Sequence, residues 1–469
     1  MSVLHSAVTW DHSAGSPQRF MTVGTAVIVG LFVCEYLKTH VGGVARYAGY
    51  LPDVLSVALL VVVGMRAVAG RYVAARPIYA VLFLVFAASV SVSLVLNGVE
   101  SAPALSGMRT YFKYLPVFLI PAVIKITPDM LETQLKVLLG VLLVQFPMVI
   151  YQRFLVYGSV SSGDGVTGTV AISSELSILM LSGIALLTGA FWAGRVGRGT
   201  YWLLLIVLFL PTTLNETKGT LVLLPIALAI PMILSSGAGV SGLRRVFLAS
   251  AFVAALVGLF VPIYNTMYPG SGGVVKFLFT PDKVVHYLSD HRMDPAVIAD
   301  RVLEGRPINP AWLDSKYKAQ RLDSISTPLK SLVNHPYRLA FGLGIGNVSG
   351  ATIPGRYSDL GEVGAGQTAL GQLLWETGVI GVVLVVGFMA AVFVDAKKLA
   401  TAPGLVGGVA AGWAGVVLLF VVALPYKNVM VFDVLGYLFW YFSGVVVAAR
   451  VRRQAASGLE GHHADAALR

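Results

Sequence analysis

The sequence predicts an all-α polytopic membrane protein with about twelve transmembrane helices and a large external helical loop between the ninth and tenth. Three observations carry that prediction. The 469 residues are 56% hydrophobic and only 12% charged, with a mean hydropathy of +0.78, well above a water-soluble composition. Apolar stretches close to the ~20 residues needed to cross a bilayer core about 30 Å thick recur along the chain. A single long polar interval, 266–367, separates nine of these stretches from the last three.

In chain order the stretches fall near 21–37, 51–69, 77–96, 109–125, 135–152, 170–193, 200–214, 218–235, 246–265, 368–394, 405–424 and 429–450. The seventh is short, and shifts of a few residues at the boundaries also allow eleven or thirteen spans. The first twenty residues are polar and no small-residue cleavage site follows the first apolar run, so that helix is expected to be retained. The expected organisation is nine spans in 1–265, an external segment at 266–367, three spans in 368–452 and a cytoplasmic tail at 453–469. That tail, ending "GHHADAALR", is polar and expected to be disordered. Cys34 is the only cysteine, which excludes disulfides within the chain and any cysteine-based metal centre.

Lys and Arg favour cytoplasmic loops, so counting them on alternate sides orients the map. One side carries Arg19, Arg66, Arg71, Arg76, Lys125, Lys136, Arg195, Arg198, Arg244, Arg245, Lys397, Lys398, Arg450, Arg452 and Arg453, fifteen in all. The other short loops carry six: Lys38, Arg46, Arg109, Arg153, Lys218 and Lys427. Both termini are therefore expected in the cytoplasm and 266–367 outside. The net charge of +11 is accounted for by this loop bias, which argues against a nucleic-acid partner.

Ionisable residues within or at the ends of spans are Glu35, Asp53, Arg109, Lys113, Arg153, Glu175, Lys218, Glu376 and Asp433, and on this map all lie in outer halves. Charge in the hydrocarbon region is costly and faces a polar cavity or a partner. The asymmetry predicts a polar chamber open to the external face. Snorkelling at the interface explains Lys38, Asp53 and Lys427 equally well. It explains Glu175 and Glu376 poorly, because each is short and several residues inside a helix.

The segment 266–367 holds eleven Lys or Arg and nine Asp or Glu, a length that favours a functional role over a simple connection. Short helices are expected within it, at "DPAVIADRVLEG" (294–305) and "WLDSKYKAQRLDSISTPLKSLVNHP" (312–336). "FGLGIGN" (341–347) lacks the G-x-G-x-x-G spacing and reads as a tight backbone turn, with phosphate contact by its amides as the alternative. His335 precedes a proline, which biases it away from helix. His286 and His291 are too weak a pair to suggest a metal site.

Four stretches in fixed order carry a family resemblance: "MRTYFKYLPVFLIPA" (108–122), "GVTGTVAISSELSILM" (165–180), "ETKGTLVLLPIAL" (216–228), and "HPYRLAFGLGIGN" (335–347) followed by "GQTALGQLLWETGVIGVVLVVGF" (366–388). With the long outer segment, they resemble the O-antigen ligase and O-antigen polymerase family of membrane glycosyltransferases. The resemblance implies transfer of a glycan from a polyprenyl diphosphate to an acceptor sugar or lipid on the outer face of a bacterial inner membrane, without metal or nucleotide cofactor. It further implies flippase or chain-length-regulating partners.

The chemistry suits the charges: a departing diphosphate needs cations, here Lys218, Arg109, Lys113 and Arg153, with Arg338 and Arg356 from the outer segment. Lys218 also stands at a helix N-terminus, which favours an anion. The sequence departs from the family at Gln367, where ligases carry histidine, and at Lys218, where the family carries arginine. Gln367 cannot act as a base, so Glu362 is the first candidate for one, with Asp359 and His335 as alternatives. The missing histidine tilts the expectation toward a polymerase over a ligase. A transporter of lipid-linked glycan is the alternative from another class, with the one-sided charge against it.

Overall fold

A computed structural model describes residues 17–41, 45–69, 74–124, 126–157, 165–235, 242–267, 321–348 and 368–467. Among these residues the protein is all helical, with no strand, and eight helices are long and apolar enough to cross a membrane. In order, the helices are α1 (Pro17–His40), α2 (Ala45–Ala48), α3 (Leu51–Val68), α4 (Pro77–Leu96), α5 (Ser101–Phe112), α6 (Leu115–Val123) and α7 (Pro128–Ile150). There follow α8 (Ser173–Trp192), α9 (Arg198–Leu214), α10 (Thr220–Leu234), α11 (Gly242–Met267), α12 (Asp323–Leu332), α13 (Pro336–Phe341), α14 (Ala369–Leu399), α15 (Gly404–Ala423) and α16 (Asp433–Ala467).

Helices α8, α15 and α16 form the centre, and α3, α4, α7 and α11 the periphery. In the most apolar window of α8, 83% of residues are buried, against 17% in α3, whose Val54, Val57, Leu60, Val61, Met65 and Val68 all lie exposed. An exposed apolar strip of that length is untenable in water and fits a lipid-facing helix.

The central seam is made by small residues. Lipid chains are as apolar as leucine, so close backbone approach substitutes for a hydrophobic drive between helices. Ala185 and Gly189 of α8 meet Gly408 and Gly412 of α15 this way. A Cβ on Gly412 would stand 2.7 Å from the Ala185 carbonyl oxygen, and one on Gly408 would stand 2.8 Å from that of Gly189.

Three local features depart from the expected map. The fourth apolar stretch is not one helix: it breaks at the Lys113–Tyr114 turn, and Pro116 then occupies the first turn of α6. The tail is not irregular but continues α16 to Ala467, with no proline to stop it. The third is inside α14, where Gly378 adopts φ 65°, ψ −168° and splits the helix in two.

That break is filled by the "FGLGIGN" turn. The interruption frees the Trp375 and Glu376 carbonyls, and these accept from Leu343 N at 2.7 Å and Gly344 N at 3.1 Å. Gly342, Gly344 and Gly346 all take positive φ, and a Cβ on Gly378 would stand 2.4 Å from the Ala340 carbonyl oxygen. The tight turn is thus present, and its amides are engaged by α14.

Candidate functional site at one end of the bundle

Sequence-distant helices deliver charged side chains to one end of the bundle, the end that the charge count predicts to be external. The last two turns of α1 supply Glu35 and Lys38, the start of α3 supplies Asp53, and the break between α5 and α6 supplies Lys113 beside Arg109. The first residue of α16 supplies Asp433, a carboxylate at a helix N-terminus, where the dipole favours it.

These groups form a four-membered ion-pair network beside a separate Arg109–Asp53 pair. Lys38 Nζ lies 3.5 Å from Glu35 Oε2 and 3.3 Å from Asp433 Oδ2, while Lys113 Nζ donates to Asp433 Oδ1. Arg109 pairs with Asp53 at 2.6 Å and donates to the Gly49 carbonyl at 3.2 Å. Beneath them, the Lys113 ammonium stands 4.9 Å over the Tyr114 ring, which meets Tyr437 edge-on at 5.0 Å. The Tyr437 hydroxyl donates to the Pro52 carbonyl at 2.6 Å, which fixes α16 against the start of α3.

Glu175 joins from the first turn of α8. It is fully buried, its Oε2 accepts from Ala171 N at 3.2 Å, and its Oε1 has no hydrogen-bond partner. It lies close enough to Glu35, Lys38 and Asp433 for their charges to act on it. The cluster therefore sets four carboxylates, Glu35, Asp53, Glu175 and Asp433, against three cations. Arg109 and Lys113, expected to serve a diphosphate, are each already matched to a carboxylate.

Lys218 occupies a separate corner. The Asn215–Gly219 turn contains Glu216 at φ 58°, a left-handed conformation unusual for glutamate. Asn215 anchors this turn by donating to the Ser173 carbonyl at 2.7 Å. A Cβ on Gly219 would meet the Tyr426 ring at 2.8 Å, and Arg321 stacks 4.5 Å over that same ring. The turn after α15 thus joins Lys218, Arg321 and Lys427 near the N-termini of α10 and α14. The amides opening α10 are not open to an anion, because Thr220 N and Leu221 N bond the Thr217 and Lys218 carbonyls at 3.1 and 3.2 Å. The buried hydroxyls of Thr217 and Thr220 lack partners there.

Glu376 takes a role that the sequence did not suggest. Its carboxylate accepts from the Tyr111 hydroxyl at 2.7 Å and from Gln372 Nε2, Gly346 N and Val348 N at 3.0 Å each. The anion held by the glycine-rich turn is thus the protein's own carboxylate. Arg153 likewise turns inward, donating at 3.0 Å to the carbonyl of Met267, the last residue of α11. His335 is exposed at the start of α13, and Arg338 lies 5.6 Å over the neighbouring Tyr337 ring. Asp359, Glu362, Arg356 and Gln367 lie outside the described residues, as does the 294–305 stretch.

The one-sidedness of buried charge also has an exception. Asp395, fully buried at the opposite end of α14, pairs with Arg76 at 2.7 Å and with Arg450, and accepts from the Tyr79 hydroxyl at 2.7 Å. Two glutamines escaped notice in the sequence. Gln152 Oε1 accepts from Thr167 N and Gly168 N at 3.0 and 2.7 Å, and Gln145 Oε1 from Thr169 N at 2.8 Å. They hold the "TGT" segment, and their spacing of seven on one face of an apolar helix was the available signal.

Compared with known proteins, the chain matches no protein-family model and no curated protein sequence.

Proposed function

We propose that the protein is a glycosyltransferase of the inner membrane that joins polyprenyl-diphosphate-linked repeat units at the outer face. The carrying observation is the convergence of Glu35, Lys38, Asp53, Arg109, Lys113, Glu175 and Asp433 from five separate helices on one end of the bundle. In this reading the map has about twelve spans, cytoplasmic termini and 266–367 outside. An incoming diphosphate competes with Asp433 for Lys38 and Lys113, and those cations stabilise it as it departs. The acceptor hydroxyl loses its proton to a carboxylate, with Glu362 and Asp359 as candidates. The family resemblance favours a polymerase, with a ligase as the variant that differs only in acceptor.

Protein reconstituted in liposomes with an undecaprenyl-diphosphate oligosaccharide should lengthen or transfer the glycan. Lys113→Ala should slow this on the order of a hundredfold, the usual cost of losing one group that stabilises developing charge. Glycan moved across the bilayer with no new glycosidic bond would replace the enzyme by a transporter, a reading that the broken helix α14 favours. For topology, Asp300→Cys and Gly350→Cys in a Cys34→Ala background should react with an impermeant maleimide on intact cells. Reaction only after permeabilisation would invert the map.

A further inference from the structure

At the opposite end of the bundle, α7, α8 and the start of α15 leave an apolar groove of about 250 Å³ between them. Its walls include Leu135, Leu139 and Leu142 of α7, Leu186 and Leu187 of α8, and Leu405 of α15. That volume far exceeds the ~10–15 Å³ that one water needs, and an apolar lining gives water nothing to bond. In a bilayer such a groove takes a hydrocarbon chain.

The rim is charged. Lys136 and Arg195 stand at the mouth with Glu132, which pairs with Lys136 at 2.7 Å on an exposed helix face, a contact of small worth. Glu132 also feels Arg195, so the rim carries one net positive charge. Among the described residues, the Arg195 guanidinium has neither an ion-pair nor a hydrogen-bond partner. It is seated against Gly404, where a Cβ would stand 2.7 Å from Nη2. A planar double donor held at the mouth of a leucine groove suits a phosphate above an acyl chain. This is the Lys- and Arg-rich end of the bundle, where anionic headgroups are drawn to basic side chains between helices.

We propose that this groove is a binding site for an anionic phospholipid of the adjoining leaflet, with its phosphate on Arg195 and Lys136 and one acyl chain along the leucines. The assignment is independent of the glycan reading.

The test uses the full-length protein in detergent, titrated with phosphatidylglycerol or phosphatidylcholine of identical chains, with bound lipid counted by native mass spectrometry. Wild type should prefer phosphatidylglycerol. Removing each cation should weaken that lipid about fivefold, so Arg195→Ala with Lys136→Ala weakens it about 25-fold and weakens phosphatidylcholine, whose choline already offsets its phosphate, much less. Arg195→Lys should retain most of the preference, and Leu139→Trp should weaken both lipids by filling the groove. Equal binding of the two lipids by wild type, or an undiminished preference in the double variant, would overturn the site. Stronger binding of undecaprenyl phosphate than of phosphatidylglycerol would overturn the occupant.

Discussion

Glu376→Ala is expected to cost on the order of 4 kcal/mol of stability, because four buried donors lose one shared acceptor, at roughly 1–3 kcal/mol for each group left unsatisfied and with less than full additivity. The donors belong to three parts of the chain: Tyr111 on α5, Gln372 on α14, and the amides of Gly346 and Val348 in the glycine-rich turn. Losing the carboxylate therefore loosens the turn from α14 and α5 together. Glu376→Gln keeps an oxygen acceptor and should cost less than half as much. Thermal unfolding in detergent checks both, and an alanine variant as stable as wild type would show that the turn is held by something else.

Asp433→Ala carries the next largest effect. It strips the closest counter-charge from Lys113, 11% exposed, and from Lys38, which is 37% exposed and better served by solvent. Stranding a largely buried ammonium costs about 3 kcal/mol, and most of that should come from Lys113. Adding Lys113→Met removes the stranded charge, so the double variant should recover a coupling of about 1–3 kcal/mol. Strict additivity of the two single changes would mean that the pair is a surface contact of no consequence. Glycan transfer should be lost in the Asp433→Ala, Lys113→Met double variant even where the folded protein is recovered, because the cation that meets the departing diphosphate is gone.

The helical architecture was legible because a bilayer imposes one length and one chemistry on every span. Eleven of the twelve apolar stretches fall chiefly on one helix each and the fourth is split between α5 and α6, and their order needed no tertiary information. Where the map failed, the cause was backbone chemistry that hydropathy does not register. Lys113 and Tyr114 read as the interior of a span, although Pro116 two residues later marks a new first turn. Gly378 sits inside a long apolar span, just after Glu376 and Thr377, and its left-handed φ becomes apparent only when Leu343 and Gly344 are seen bonding the carbonyls that it frees. The charged positions were legible as a set, since cost restricts where they can lie, but their partners were not. Nothing in the chain order tells that Lys113 meets Asp433, 320 residues away, or that Glu376 serves a turn in place of a chamber.

The filled break in α14 has a mechanical consequence. An elbow whose two loose carbonyls are bonded to a neighbouring segment is stiff, so the two rods of α14 meet at a fixed bend. A displacement arriving through α12 and α13 is applied to the membrane-embedded rod at its joint, like a lever on a crank, and does not dissipate in a slack tether.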